Sequence, residues 1–420
     1  MRWANTAVAA CMCAGGLALL PAQTLTVIPP RVLADESATI RAEGLAPGER
    51  IGIRAELLDG ADQRWTSQVE FVADTQGVVD VSKQAPAAGS YQEVSAMGLI
   101  WSMMPAAKSV TQYQAPRGLG PQLIELRLLR KDEPAASARL EQVVVAEGVQ
   151  RVAVREEGLR GILFLPAGNQ RHPGVLVVGG SNGGAPLRPA AWLASHGYAA
   201  LALAYFRYED LPAKLEAIPL EYFERALAWM AKRPEMGNRV AVMGTSRGGE
   251  LALQLGSMFP QIGAVVAYVP ANVRYPACCG DTRVPFAWTW KGSPLPFLTL
   301  RAARQPDAVM QAAIEVERTH GPVLMISGED DHLWRSAAMA DAVVARLKHY
   351  HFAYSFANLK YPHAGHSAGR PDIVPAWHGR VRHPVSGREI DLGGSAAGDA
   401  ESSLDAMPKV LDFLRQSLQK

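Results

Sequence analysis

Alternation between apolar and polar positions dominates the chain from Leu25 to about Val145, and unbroken apolar runs dominate the remainder. In the first stretch, Ala38-Thr39-Ile40-Arg41-Ala42 and Ile51-Gly52-Ile53-Arg54-Ala55 alternate on either side of the turn Gly44-Leu45-Ala46-Pro47-Gly48. Val69 to Val72 and Leu123 to Leu129 repeat the pattern. A period of two puts one face on a core and the other in water, the signature of half-buried strands. Several short strands with Gly, Pro and Asp between them predict an all-β, immunoglobulin-like sandwich over residues 23–145.

Beyond Val152 the pattern changes. Ile162 to Leu165 leads into Gly174-Val175-Leu176-Val177-Val178, and Tyr198 to Leu203, Val240 to Met243, Ala264 to Tyr268 and Val323 to Ser327 are apolar throughout. Strands apolar on both sides belong in a sheet covered on both faces. They alternate with helical stretches such as Leu220 to Met230, which predicts a mostly parallel, doubly wound sheet over residues 146–420. A further strand is expected near His351 to Tyr354.

Charge and cysteine content narrow the picture. The chain has 42 basic and 40 acidic residues and a net charge of +2, so nothing points to nucleic acid. Residues 1–22 stand apart: Arg2 precedes an uncharged stretch, rich in Ala and Leu, from Ala4 to Leu20. This reads as a secretory signal peptide, placing the protein in the periplasm or outside the cell. If the segment is retained, the location is cytoplasmic. No later segment is apolar for long enough to span a bilayer. Removal of the segment takes Cys11 and Cys13 and leaves only Cys278-Cys279, either a plain loop pair or a vicinal disulfide.

The chemistry centres on Gly244-Thr245-Ser246-Arg247-Gly248, which follows one apolar strand and opens a helical run. A sharp strand-to-helix turn lifts the central hydroxyl above the sheet and leaves no room for side chains at the flanking glycines. Ser246 is therefore the expected nucleophile of an α/β-hydrolase domain. Serine needs a base, and His366 lies late in the chain. Gly328-Glu329-Asp330-Asp331 follows a sheet strand directly, and Asp331 is the expected acid, giving the chain order Ser, Asp, His. Asp330 is left to cap the helix starting near Trp334. The oxyanion donors are expected from the amide of Arg247 and from Gly180 and Ser181 in the loop Gly179-Gly180-Ser181-Asn182-Gly183-Gly184. That loop has neither the dinucleotide nor the P-loop spacing, and no cofactor or metal is implied. Arg207, Tyr208, Trp288 and Trp290 are candidate substrate contacts, the two tryptophans as parts of a partial lid.

Several segments, taken in order, resemble the acyl-CoA thioesterase and bile acid-CoA:amino acid N-acyltransferase family. They include Pro86 to Tyr91, Met97 to Met103, Ala202 to Pro212, Leu220 to Phe223 and Gly328 to Trp334. The resemblance implies a β-sandwich ahead of the hydrolase domain and puts the family's catalytic positions on Ser246, Asp331 and His366. It also implies hydrolysis, because members that transfer acyl groups to an amino acid are similar but carry cysteine at the nucleophile. The expected partner is a small acylated substrate, a coenzyme A thioester on this resemblance. The alternatives are a secreted carboxylesterase or lactonase, or a non-catalytic binding protein. Oligomeric state is not legible in the chain.

Overall fold

The computed structural model describes residues 22–418. Apart from Ala22, the segment read as a signal peptide lies outside them.

The N-terminal alternation forms two sheets. Thr24–Ile28, Thr39–Glu43 and Val79–Asp80 make the smaller one. The larger runs through Arg31–Leu33, Glu133–Val143, Gln122–Arg130, Arg50–Leu58, Arg64–Val72 and Ala88–Gly89, with Met104–Pro105 paired to Arg64–Val72. In Arg50–Leu58 the residues Ile51, Ile53, Ala55 and Leu57 are buried, while those between them are only half-buried. They share one core with Ile40, Trp65, Ile124 and Leu126. The strand Glu133–Val143 is absent from the expectations because its first residues, Glu-Pro-Ala-Ala-Ser-Ala, are mostly small and largely exposed, so its pattern carries little apolar contrast.

The second part is an eight-stranded sheet. Its strands are β1 (Gln150–Val154), β2 (Arg160–Leu165), β3 (His172–Val178), β4 (Ala199–Ala204), β5 (Met236–Thr245), β6 (Ile262–Tyr268), β7 (Val323–Gly328) and β8 (Phe356–Tyr361). The spatial order is β1-β2-β4-β3-β5-β6-β7-β8. The β1/β2 and β2/β4 pairs are antiparallel and the others parallel. Five helices flank it: α1 (Leu187–Ser195), α2 (Glu221–Ala231), α3 (Arg247–Met258), α4 (Ser336–His349) and α5 (Ala396–Leu418).

The unbroken apolar runs arise from this layering. Val175, Val177, Ala200 and Ala202 join one core with α1 and α5, whereas Leu176, Val178, Leu201 and Leu203 join another with α2, α3 and α4. Successive side chains on a strand thus enter different layers, and neither layer meets water. This is the α/β-hydrolase arrangement expected from the sequence. The last strand falls at Phe356–Tyr361 rather than His351 to Tyr354. His351 instead takes a left-handed conformation (φ 50°), and the N–H of Phe352 donates back to Leu347 O, which closes α4.

The β-rich unit reaches the hydrolase part through specific bonds. Ile373 N–H donates to Ala34 O at 2.7 Å, and Gly379 N–H donates to Thr111 O at 2.8 Å. Asp35 accepts from Trp192 Nε1 and pairs with His196 Nε2. No described helix is long and apolar enough to cross a membrane.

Candidate functional site

Ser246 sits between the last residue of β5 and the first of α3, with φ 59° and ψ −120°. The flanking glycines explain how the chain makes this turn. A β-carbon on Gly244 would lie 2.0 Å from Gly248 O, and one on Gly248 would lie 2.4 Å from Gly179 O and 2.6 Å from Val178 O. Backbone surrounds both positions, so only glycine fits.

His366 lies beyond β8, in the segment leading towards α5. Its Nε2 is 2.8 Å from Ser246 Oγ, and its Nδ1 is 2.8 Å from Asp331 Oδ2. Asp331 comes just after β7, and its Oδ1 accepts the backbone N–H groups of Leu333 and Trp334. The carboxylate is therefore held by hydrogen bonds on both oxygens, with its side chain fully buried. Trp334 packs edge-on against the His366 ring at 5.4 Å and stacks on Tyr275. Asp330 points elsewhere, to His332 Nε2 and the N–H of Gly394. Asp330 does not cap the next helix: α4 begins at Ser336, without a side-chain cap.

Two stretches of backbone flank the serine. Arg247 opens α3, so its N–H lacks an intrahelical acceptor and stands at the positive end of the helix dipole. Across from it, Gly180 is packed so closely that a β-carbon there would be 3.0 Å from Thr245 O and 3.9 Å from Ser246 Oγ. Gly180, Ser181, Ser246 and His366 line a common cavity of about 480 Å³, within the usual range for small-molecule sites. Its wall also includes Arg370, Arg382 and His383, and Gln112 from the β-rich unit.

His383 and Gln112 have no recognisable signal in the sequence. His383 lies on a short hairpin, Val381–Arg382 with Glu389–Ile390, and Gln112 is brought near by the bridge between Gln112 and His378. Neither location can be read from local periodicity.

Of the candidate substrate contacts, none lines this cavity. Arg207 is exposed, and its guanidinium donates to Asn182 O, steadying the glycine-rich loop from outside. Tyr208 is half-buried in the adjoining turn, where its carbonyl accepts from Leu211 N–H. Trp288 is 1% exposed, packs with Tyr205 and Phe223, and donates to Glu250 Oε1 at 2.8 Å. Trp290 packs on Phe259 and lines a different surface depression with Met258. Trp288 is held in packing by a buried carboxylate, and Trp290 packs on Phe259 away from the cavity, so neither stands as a lid over Ser246.

That carboxylate is Glu250, on α3. Burial pushes its carboxyl up, against the opposing pull of Arg247 and Trp288. Arg247 Nε lies 3.2 Å from Glu250 Oε2, and the same guanidinium donates to the carbonyls of Tyr275 and Pro276. The segment from Tyr275 to Trp290 is thus fastened to the helix that carries the serine. Within it Cys278 and Cys279 are joined as a vicinal disulfide, the alternative less favoured by ring strain.

Two family descriptions match different parts of the chain. A family described as BAAT / Acyl-CoA thioester hydrolase C terminal matches residues 218–420, and one described as Acyl-CoA thioester hydrolase/BAAT N-terminal region matches residues 35–156. The human bile acid-CoA:amino acid N-acyltransferase is 33% identical, with 94% of this chain and 97% of that protein covered. The mouse mitochondrial acyl-coenzyme A thioesterase 2 is 31% identical over 94% and 89%. The mouse peroxisomal succinyl-coenzyme A thioesterase is 29% identical over 94% and 97%.

These relatives correct one expectation. Two are named for compartments inside the cell, which overturns the reading of a periplasmic or secreted protein. That reading rests only on the composition of an apolar N-terminal stretch with a single arginine, and composition alone does not tie it to a destination. Over both of its parts, the chain belongs to the acyl-CoA thioesterase and bile acid-CoA:amino acid N-acyltransferase family.

Proposed function

We propose that the protein is a serine acyl hydrolase that cleaves acyl thioesters of the coenzyme A class, with Ser246, His366 and Asp331 as its triad. The observation that carries the reading is the continuous hydrogen-bonded chain from Ser246 Oγ through the His366 imidazole to Asp331. Ser246 Oγ attacks the thioester carbonyl as His366 Nε2 takes its proton, and Asp331 stabilises the resulting imidazolium. The negative charge on the carbonyl oxygen is met by the N–H of Arg247 and by the Gly180-Ser181 segment; one such donor is typically worth about 3 kcal/mol. Collapse of the tetrahedral intermediate breaks the carbon–sulfur bond, and the imidazolium returns its proton to the departing sulfur. Water then attacks the acyl-serine with His366 again as base, releasing the acid. A serine, rather than a cysteine, at this position favours water over an amino acid as the acceptor.

In this reading residues 23–145 form an immunoglobulin-like sandwich and residues 146–420 the catalytic domain. The boundary is supported by the gap between the strand ending at Val143 and β1, which starts at Gln150. Purified protein incubated with a series of acyl-CoA esters, with free thiol release measured against a Ser246→Ala control, tests the function. Release by the wild type and none by the variant is expected. Hydrolysis of oxygen esters but of no thioester would leave the triad roles and refute the substrate class.

A further inference from the structure

We infer that His383 is a positioning residue which aims the Ser181 hydroxyl at the oxygen of the reacting carbonyl, an inference that rests on the acyl-hydrolase reading above. His383 is 7% exposed and sits in the stretch between His366 and α5. Its Nδ1 accepts two backbone N–H groups, from Val385 at 3.3 Å and Ser386 at 3.2 Å. A ring nitrogen that accepts carries no proton, so the neutral imidazole holds its single proton on Nε2. That Nε2 is 2.9 Å from Ser181 Oγ. The bond therefore runs from His383 to Ser181, with the imidazole donating and the hydroxyl accepting.

The direction of this bond has a consequence for Ser181. A serine hydroxyl has one proton and rotates freely unless something fixes it. With one lone pair engaged by His383, the Ser181 proton must point away from the ring, and Ser181 lines the cavity that holds Ser246. The preceding residue, Gly180, is already packed against Ser246. In this inference the hydroxyl serves as a third donor for the oxyanion, with the orientation towards the ring already excluded before the substrate arrives. Preorganised donors stabilise the charged intermediate more than the neutral carbonyl, so the contribution falls on turnover rather than on binding. Charging the ring would protonate Nδ1 and break both backbone bonds. Burial, and after it the nearby charge of Arg207, lower the pKa of His383 and oppose that step.

The test uses the full chain and four variants: Ser181→Ala, His383→Leu, His383→Gln, and Ser181→Ala combined with His383→Leu. Steady-state kinetics are measured on octanoyl-CoA and p-nitrophenyl acetate, and Ser246 is titrated with a fluorophosphonate in the wild type. Ser181→Ala and His383→Leu are expected to lower kcat by about 10- to 100-fold with KM changed less than about threefold. His383→Gln, whose amide can donate to Ser181, should recover most of the rate, and the double variant should be no slower than Ser181→Ala. Wild-type kcat in His383→Leu, a loss confined to KM, or losses that multiply in the double variant would overturn the inference. Should His383→Leu fail to fold, wild-type kcat in Ser181→Ala overturns it equally. A wild type that neither turns over nor takes label at Ser246 overturns the acyl-hydrolase reading itself, and this inference with it.

Discussion

Ser246 Oγ and His366 Nε2 are 2.8 Å apart across 120 positions of sequence. The sheet makes this contact, because β5 and β8 both run parallel to β7 and deliver their C-terminal connections to one edge. The two adjacent acids after β7 then have different surroundings. On the proposed mechanism Asp331→Asn removes the charge that would hold and stabilise the imidazolium, and it is expected to cost on the order of 10⁴-fold in kcat. Asp330, whose carboxylate is hydrogen-bonded to His332 and Gly394, should tolerate Asp330→Asn with a loss of less than about tenfold. Steady-state kinetics of the two variants decide it, and the reverse order would move the acid to Asp330.

The turn around the serine predicts a contrast between two glycines of neighbouring backbone. Gly248→Ala places a methyl 2.4 Å from Gly179 O, with no side chain to move aside. Displacement of the loop that faces Ser246 by even about 1 Å should lower turnover by at least about 100-fold. Gly179→Ala meets nothing closer than 3.7 Å and should stay near wild type. Parallel measurement of kcat and melting temperature in both variants checks the difference.

Trp288 provides a test of packing against substrate contact. Trp288→Phe keeps most of the ring but leaves buried Glu250 without its indole donor. The expected cost is about 1–3 kcal/mol of stability, seen as a lower denaturation midpoint, with KM changed less than about twofold. A large rise in KM at unchanged stability would return Trp288 to the substrate site.

Asp35 and His196 join the β-rich unit to α1's C-terminus, and their contribution depends on pH. Burial works to depress the His196 imidazole, but the hydrogen bond and charge of Asp35 outweigh it and hold the pKa above the ordinary 6.5. A pKa raised on folding stabilises fully below the unfolded value and ceases to do so as pH rises through the folded one. Asp35→Asn should therefore lower the melting temperature by several degrees at pH 5.5 and by clearly less at pH 9. Melting curves at the two pH values check this, and an equal loss at both would show that the charge on His196 contributes nothing.

Much of this is legible in the sequence because it is local or periodic. Gly244, Ser246 and Gly248 announce a crowded turn, and the apolar runs of β3 and β4 announce two covered faces. The placement of Asp331 beside His366 is legible from its distance past β7. The features that escape depend on partners far away in sequence. Trp288 reads as a lid residue until Glu250 is seen to draw it inward. His383 is one of ten histidines, and only the backbone donors of Val385 and Ser386 give it a fixed tautomer. Glu133–Val143 has too few large apolar residues at its start to be seen as a strand, although Gln122–Arg130 pairs with nearly all of it. A destination for residues 1–22 rests on composition alone, and the relatives correct it.

In the proposed mechanism Ser246 carries the acyl group between the two half-reactions. Rapid mixing of the protein with an acyl-CoA that it hydrolyses, acid quenching within the first turnovers and mass analysis of peptides measures this directly. A mass increase equal to the acyl group is expected on the peptide containing Ser246, lost on further incubation and absent in Ser246→Ala. An acyl adduct on any other residue, or full turnover by Ser246→Ala, would contradict it.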